Sequence, residues 1–186
     1  MDTKIFILSG PAGAGKTTLL NKLFQKKVIK KNFIRAISFT TRAIRPQEKA
    51  GRDYFFISRE KFLELKKKKF FLESQKVLSD YYGTPKYFYR RAKREKKNLI
   101  LCIDVKGGMY LKKNFKIDTI VTIFISAQDR HELYRRLEMR VEKKDLIKKR
   151  LTLAKKELQF SKFYDYVIVN QDLKASLKTL ETILLA

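Results

Sequence analysis

The sequence predicts an α/β fold, with a mostly parallel sheet flanked by helices. Three observations lead there. Short β-rich apolar runs alternate with helical patterns along the chain, as in a sheet covered on both faces. The first such run, Lys4 to Leu8, passes directly into a glycine-rich loop and then a helical pattern at Leu19, Leu20, Leu23 and Phe24. The run from Asn98 to Asp104 is nearly all apolar and ends in a carboxylate, as a buried central strand would with an acid at its ligand-binding edge.

In chain order, strands are expected at 4–8, 34–39, 53–57, 70–77, 98–104, 119–126 and 165–170. Helices are expected near 16–26, 59–68, 86–96, 128–139, 143–160 and 172–185. No internal repeat or low-complexity linker appears, and 186 residues suit one domain with inserted lobes.

Gly10-Pro11-Ala12-Gly13-Ala14-Gly15-Lys16-Thr17 fills every position of the phosphate-binding pattern G-x-x-x-x-G-K-(S/T) between strand and helix, which makes the core a P-loop nucleotide-binding core. Glycines at 10, 13 and 15 let successive N–H groups converge on one anion at a helix N-terminus. Lys16 places a cation on the β and γ phosphates, the Thr17 hydroxyl suits a Mg²⁺ position, and Thr18 completes the ATP-binding set. The loop alone does not name the phosphoryl acceptor, because GTPases, ATPases and small-molecule kinases share it.

Composition bounds the alternatives. Hydrophobic residues at 44% exclude a disordered chain, and the single Cys102 excludes an internal disulfide framework. The N-terminal residues lack a signal-peptide pattern and no run approaches a membrane span, so a soluble cytoplasmic protein without a membrane partner is expected. A net charge of +25 raises nucleic acid as a partner, with Lys66 to Lys69 and Arg90 to Lys97 as candidate patches. Yet the excess is 31 Lys against 13 Arg, dispersed over most expected helices. It reads as a solvated lysine-rich surface, with only weak salt-sensitive polyanion binding expected. His131 and Cys102 show no metal or nucleophile partners.

The segment from Ser38 to Phe56 fills S-x-T-T-R-x-x-R-x-x-E-x-x-G-x-x-Y-x-F and resembles the GMP-binding segment of guanylate kinases. Phe71-Leu72-Glu73 and Tyr81-Tyr82-Gly83-Thr84 are similar to that family's second nucleotide-monophosphate stretch. The likeness continues through Ile103 to Gly107, Leu133 to Arg140 and Tyr166 to Leu173, so it spans nearly the whole chain. It implies an inserted GMP-binding lobe at about 34–84, a helical lid at about 135–155, and a core formed by about 1–33, 85–134 and 156–186. It also implies transfer of the γ-phosphoryl group of ATP to GMP or dGMP with Mg²⁺, by a monomer or homodimer.

The residue types suit that reading. Arg42 and Arg45 can grip a dianionic phosphate, while the Tyr54 and Tyr82 hydroxyls fix its orientation. Glu73 is the expected acceptor for the guanine N1–H and N2–H₂ donors, with Ser38 and Thr84 as hydroxyl donors to O6 or N7. Glu48 either touches the nucleotide or holds Arg42 and Arg45. Arg136 and Arg140 share a helix face, and the resemblance makes them, with Arg150, lid arginines that join Lys16 and Arg42 in neutralising the transferring group. No general base is required, because the acceptor is already an anionic oxygen.

Two positions depart from the family pattern. Cys102-Ile103-Asp104 stands where Asp-Ile-Asp is usual, which leaves Asp104 to serve the Mg²⁺ shell and nucleotide alone, and Val141 replaces a lid glycine. Three rival readings remain: a GTPase, although N-K-x-D is absent; a non-catalytic guanylate-kinase-like binding module, although Lys16 and Thr17 are present; and a P-loop kinase of another phosphorylated acceptor, which would not need Glu73.

Overall fold

The computed structural model describes residues 3–115, 119–139 and 144–186. In chain order the elements are β1 (Ile5–Ser9), α1 (Lys16–Leu23), α2 (Lys27–Asn32), β2 (Phe33–Arg35), β3 (Phe39–Thr40), β4 (Phe55–Phe56) and α3 (Arg59–Lys67). They continue as β5 (Phe71–Val77), β6 (Asp80–Pro85), α4 (Lys86–Arg94), β7 (Asn98–Cys102), α5 (Val105–Asn114) and β8 (Ile120–Ser126). The chain closes with α6 (Arg130–Glu138), α7 (Lys144–Leu158), a 3-10 turn at Ser161–Phe163, β9 (Tyr166–Val169) and α8 (Leu173–Leu185).

One sheet has the order β2-β7-β1-β8-β9 and the other β4-β3-β6-β5. In the first, β2 pairs with β7 in parallel (Ile34 opposite Leu99) and β8 with β9 in parallel (Ile125 opposite Ile168). In the second, β6 lies antiparallel to both β3 and β5, with Glu73 opposite Thr84. The chain divides into two compact units, Met1–Ile7 with Lys31–Val121 and Leu8–Lys30 with Thr122–Ala186.

In the first unit, Ile5, Ile7, Ile34, Leu99, Leu101, Phe88 and Leu111 form one buried cluster, so strand residues that alternate faces meet helix residues spaced by turns. The smaller sheet carries its own aromatic core. Phe62 of α3 stacks on Phe71 of β5 at 4.6 Å and on Tyr81 of β6 at 5.4 Å. Ser58 caps α3 by accepting from Lys61 N at 3.2 Å. In the second unit, Leu133 and Leu137 of α6 pack with Ile147, Leu151 and Ala154 of α7, each set at helical spacing.

Several expectations are corrected. The strand expected at 34–39 is two strands in two sheets, β2 and β3, because the first ladder ends with the bond from Ala36 N to Ile100 O, before Phe39 pairs with Gly83. The strand expected at 98–104 ends at Cys102, and Asp104 turns the chain into α5 as its N-cap. Cys102 and Asp104 therefore do not share a strand face. Nor is β7 central: it lies second from the edge, and β1 holds the centre. Helices α2 and α5 and strand β6 were absent from the sequence expectation.

Candidate active site

The residues expected to bind the monophosphate gather within the first unit. Glu73 on β5 is only 4% exposed, and its Oε1 accepts from the Thr84 backbone N at 3.1 Å and from Thr84 Oγ1 at 2.7 Å across the ladder. Ser38 Oγ lies 3.0 Å from Thr84 Oγ1, which ties the two hydroxyls to one chain ending on the carboxylate. The other oxygen, Oε2, is buried without a hydrogen-bond partner among the described residues. Such a carboxylate oxygen is costly unless a ligand donor completes it. Burial is the main cause that pushes the Glu73 carboxyl up to about 8, with the nearby Asp104 charge adding and the Thr84 bonds opposing.

Asp104 caps α5, where its Oδ1 accepts from Lys106 N at 2.8 Å and Gly107 N at 3.1 Å. Burial raises its pKa as well. Among the described residues no three His, Cys, Asp or Glu side chains cluster as a metal site. Taken singly, the Thr17 hydroxyl in the second unit and the Asp104 carboxylate in the first are hard oxygen donors of the kind Mg²⁺ accepts beside phosphate oxygens and water.

Arg42 is braced. Its Nη2 donates to Glu48 Oε1 at 2.8 Å and Oε2 at 2.9 Å, and Arg45 N donates to Glu48 Oε2 at 2.9 Å. The Arg45 guanidinium stands 3.7 Å from the same carboxylate. In this structure Glu48 thus holds both arginines. The Arg42 guanidinium also sits over the rings of Tyr54 at 5.5 Å and Phe56 at 5.7 Å. Burial works against its charge, yet the Glu48 bond and neighbouring groups keep its pKa above the ordinary value. The Tyr54 and Tyr82 rings meet at 5.9 Å, and burial, with Cys102 and Tyr82 beside it, raises the Tyr54 phenol.

The phosphate-binding loop belongs to the second unit. Gly10 has φ 137°, and a Cβ there would lie 1.9 Å from Ile125 O, so only glycine passes. Gly15 opens α1 from the left-handed region at φ 94°, and a Cβ on it would lie 2.2 Å from Asn170 Nδ2. That amide donates to Ala14 O at 2.8 Å, latching the loop from the end of β9. Lys16 Nζ donates to the carbonyls of Gly10 and, at 2.8 Å, Pro11. Arg136 on α6 donates from Nη2 to Asn170 O at 3.0 Å and from Nε to Glu132 Oε1 at 2.6 Å, with Gly13 O at 3.5 Å from Nη1. Thr17 and Arg150 lie on α1 and α7, each partly exposed. Arg140 and Val141 lie outside the described residues.

The guanylate kinase family model matches residues 2–186. The chain belongs to the guanylate kinase family. It is 41% identical over 184 residues to the guanylate kinase of Chlamydia muridarum, covering 98% of this chain and 87% of that one. Its identity to the guanylate kinase of Wolbachia pipientis is 38% over 181 residues, covering 97% and 88%. The crystal structure of guanylate kinase from Anaplasma phagocytophilum superposes with a TM-score of 0.80 at 31% identity, over 98% of this chain and 84% of that one. No helix among the described residues is long and apolar enough to cross a membrane.

Three contributors were missed from sequence. Asn170 enters the sequence reading only as part of the Tyr166 to Leu173 likeness, although its buried side chain holds the loop. Glu132 orients Arg135 and Arg136 together, and its i+3 and i+4 spacing to them was the available signal. Gly107 lies against Glu73, a contact between distant segments that no local pattern announces.

Proposed function

We propose that this chain transfers the γ-phosphoryl group of ATP to GMP, and to dGMP, yielding ADP and GDP. The carrying observation is the buried, unpartnered Oε2 of Glu73. Guanine offers N1–H and N2–H₂ on one edge and can satisfy a carboxylate there, whereas adenine N1 would oppose it with an acceptor. Family membership supports the same reaction.

Each side chain then has a task that electrostatics explains. Arg42 and Arg45, held by Glu48, grip the GMP phosphate, and the Tyr54 and Tyr82 hydroxyls orient it. Loop residues Gly10 to Thr18 cradle the ATP phosphates through backbone N–H groups, with Lys16 releasing its carbonyl partners for phosphate oxygens. Arg136, Arg140 and Arg150 supply positive charge to the transferring group as a lid over residues 135–155 closes and excludes water. Thr17 and Asp104 are the residues that would hold Mg²⁺, which neutralises charge on the phosphates when bound. Residues at about 34–84 serve as the GMP-binding lobe, and those at about 1–33, 85–134 and 156–186 as the core. Catalysis rests on alignment and charge neutralisation, without a general base.

The protein acts in the cytoplasm as a monomer or homodimer. Its lysine-rich surface gives only weak polyanion binding, in keeping with surface pairs such as Lys68 with Glu64 and Arg91 with Glu95. A coupled assay comparing GMP, dGMP, AMP, CMP and UMP as acceptors with ATP tests the reading. GMP and dGMP should be used well ahead of the others, and preference for AMP would refute it.

A further inference from the structure

Gly107 sits in the first turns of α5, three residues after the capping Asp104. Its φ is not among the positive values found at Gly10, Gly13, Gly15 and Gly51, so the backbone does not demand glycine there. Glycine is also the poorest helix former after proline. What the position demands is space. A Cβ at 107 would lie 2.7 Å from Glu73 Oε2, and 3.4 Å from both Glu73 Cδ and Ile103 Cδ1.

The carboxylate cannot yield freely, because its other oxygen is fixed by two bonds from Thr84. The oxygen that a side chain at 107 would displace is the one left without a partner. We infer that Gly107 is a positioning residue for base recognition, its missing side chain keeping Glu73 Oε2 where it can meet the guanine edge. This rests on the GMP reading and adds a determinant outside the two nucleotide-monophosphate stretches.

Gly107→Ala turns the carboxylate about its Thr84-bound oxygen. It therefore raises the KM for GMP by about tenfold or more and narrows the preference for GMP over AMP by a similar factor. The KM for ATP stays within about twofold, and the unfolding midpoint shifts little, because alanine's helix preference offsets the strain of turning the carboxylate. A double-mutant cycle shows whether Gly107 acts through Glu73: in the Glu73→Gln background, with the acceptor already lost, Gly107→Ala adds less than about twofold.

If the parent protein does not phosphorylate GMP, the underlying reading fails. If it does, an unchanged GMP KM in Gly107→Ala overturns the inference, as do effects that multiply in the double variant. Loss of the fold in Gly107→Ala overturns it too, since glycine would then be required for packing.

Discussion

Glu73→Gln separates the two demands placed on one buried side chain. Gln can keep its carbonyl oxygen on the Thr84 N–H and hydroxyl, but it fixes an NH₂ group at the unpartnered Oε2 position, whereas the carboxyl can lose its proton there and accept from guanine. Facing guanine, two charge-assisted acceptor contacts are replaced by opposed donors. At about 1.5–3 kcal/mol for each hydrogen bond to a charged group, kcat/KM for GMP should fall by roughly two to four powers of ten. Stability moves the other way, and pH sets the amount. Below the unfolded-state pKa Glu73 is neutral in both states and costs nothing. As pH rises the unfolded chain ionises first, while the native carboxyl holds its proton up to about 8. Parent stability from this group is therefore lost between 4.5 and about 8, by on the order of 5 kcal/mol, and is level above that. Gln has no such loss. Urea unfolding of both proteins at about pH 5 and about pH 8.5 should show the variant's advantage growing with pH. An advantage that is the same at both pH values, or GMP turnover within about threefold of the parent, would refute the reasoning.

Other outcomes follow from geometry already described. Gly15→Ala forces a Cβ to within 2.2 Å of Asn170 Nδ2 at φ 94°, so it should cost about 1–3 kcal/mol in thermal unfolding and raise the ATP KM, and a variant unchanged in both would contradict the latch. Glu48→Ala removes the brace on Arg42 and Arg45, and initial-rate kinetics should show the GMP KM rising roughly tenfold with the ATP KM steady. A matching rise for ATP would place Glu48 elsewhere. Cys102→Asp restores the family's second carboxylate beside Tyr54 and should lower the GMP KM or the Mg²⁺ requirement a few-fold. Unchanged constants would show that Asp104 suffices.

The nucleotide loop was legible because its chemistry is local: glycines, lysine and threonine sit at fixed offsets, and the expected strand and helix flank them. The Ser38 to Thr84 set was legible for a related reason, since its order along the chain is the recognition pattern. Asp104 was not, because an aspartate after an apolar strand reads equally as strand end or helix cap, and the glycines at 107 and 108 weaken the helical signal that would decide. Glu73 could be chosen as the acceptor, but its burial could not be read from Phe71 to Val77. The segment alternates unevenly, and what covers Glu73 comes from β6 and α5. Asn170 shows the same limit, being 156 positions from the carbonyl it holds.

The two carbonyls that receive Lys16 bear on anion choice. An anion that draws the ammonium away must replace bonds already made inside the protein, so a lone chloride or a single phosphate gains little from entering. A triphosphate chain presents several oxygens at once, to the loop amides as well as to the lysine, and can more than offset the exchange. The lysine's internal bonds therefore set a threshold that weighs against a small anion and in favour of a polyphosphate chain.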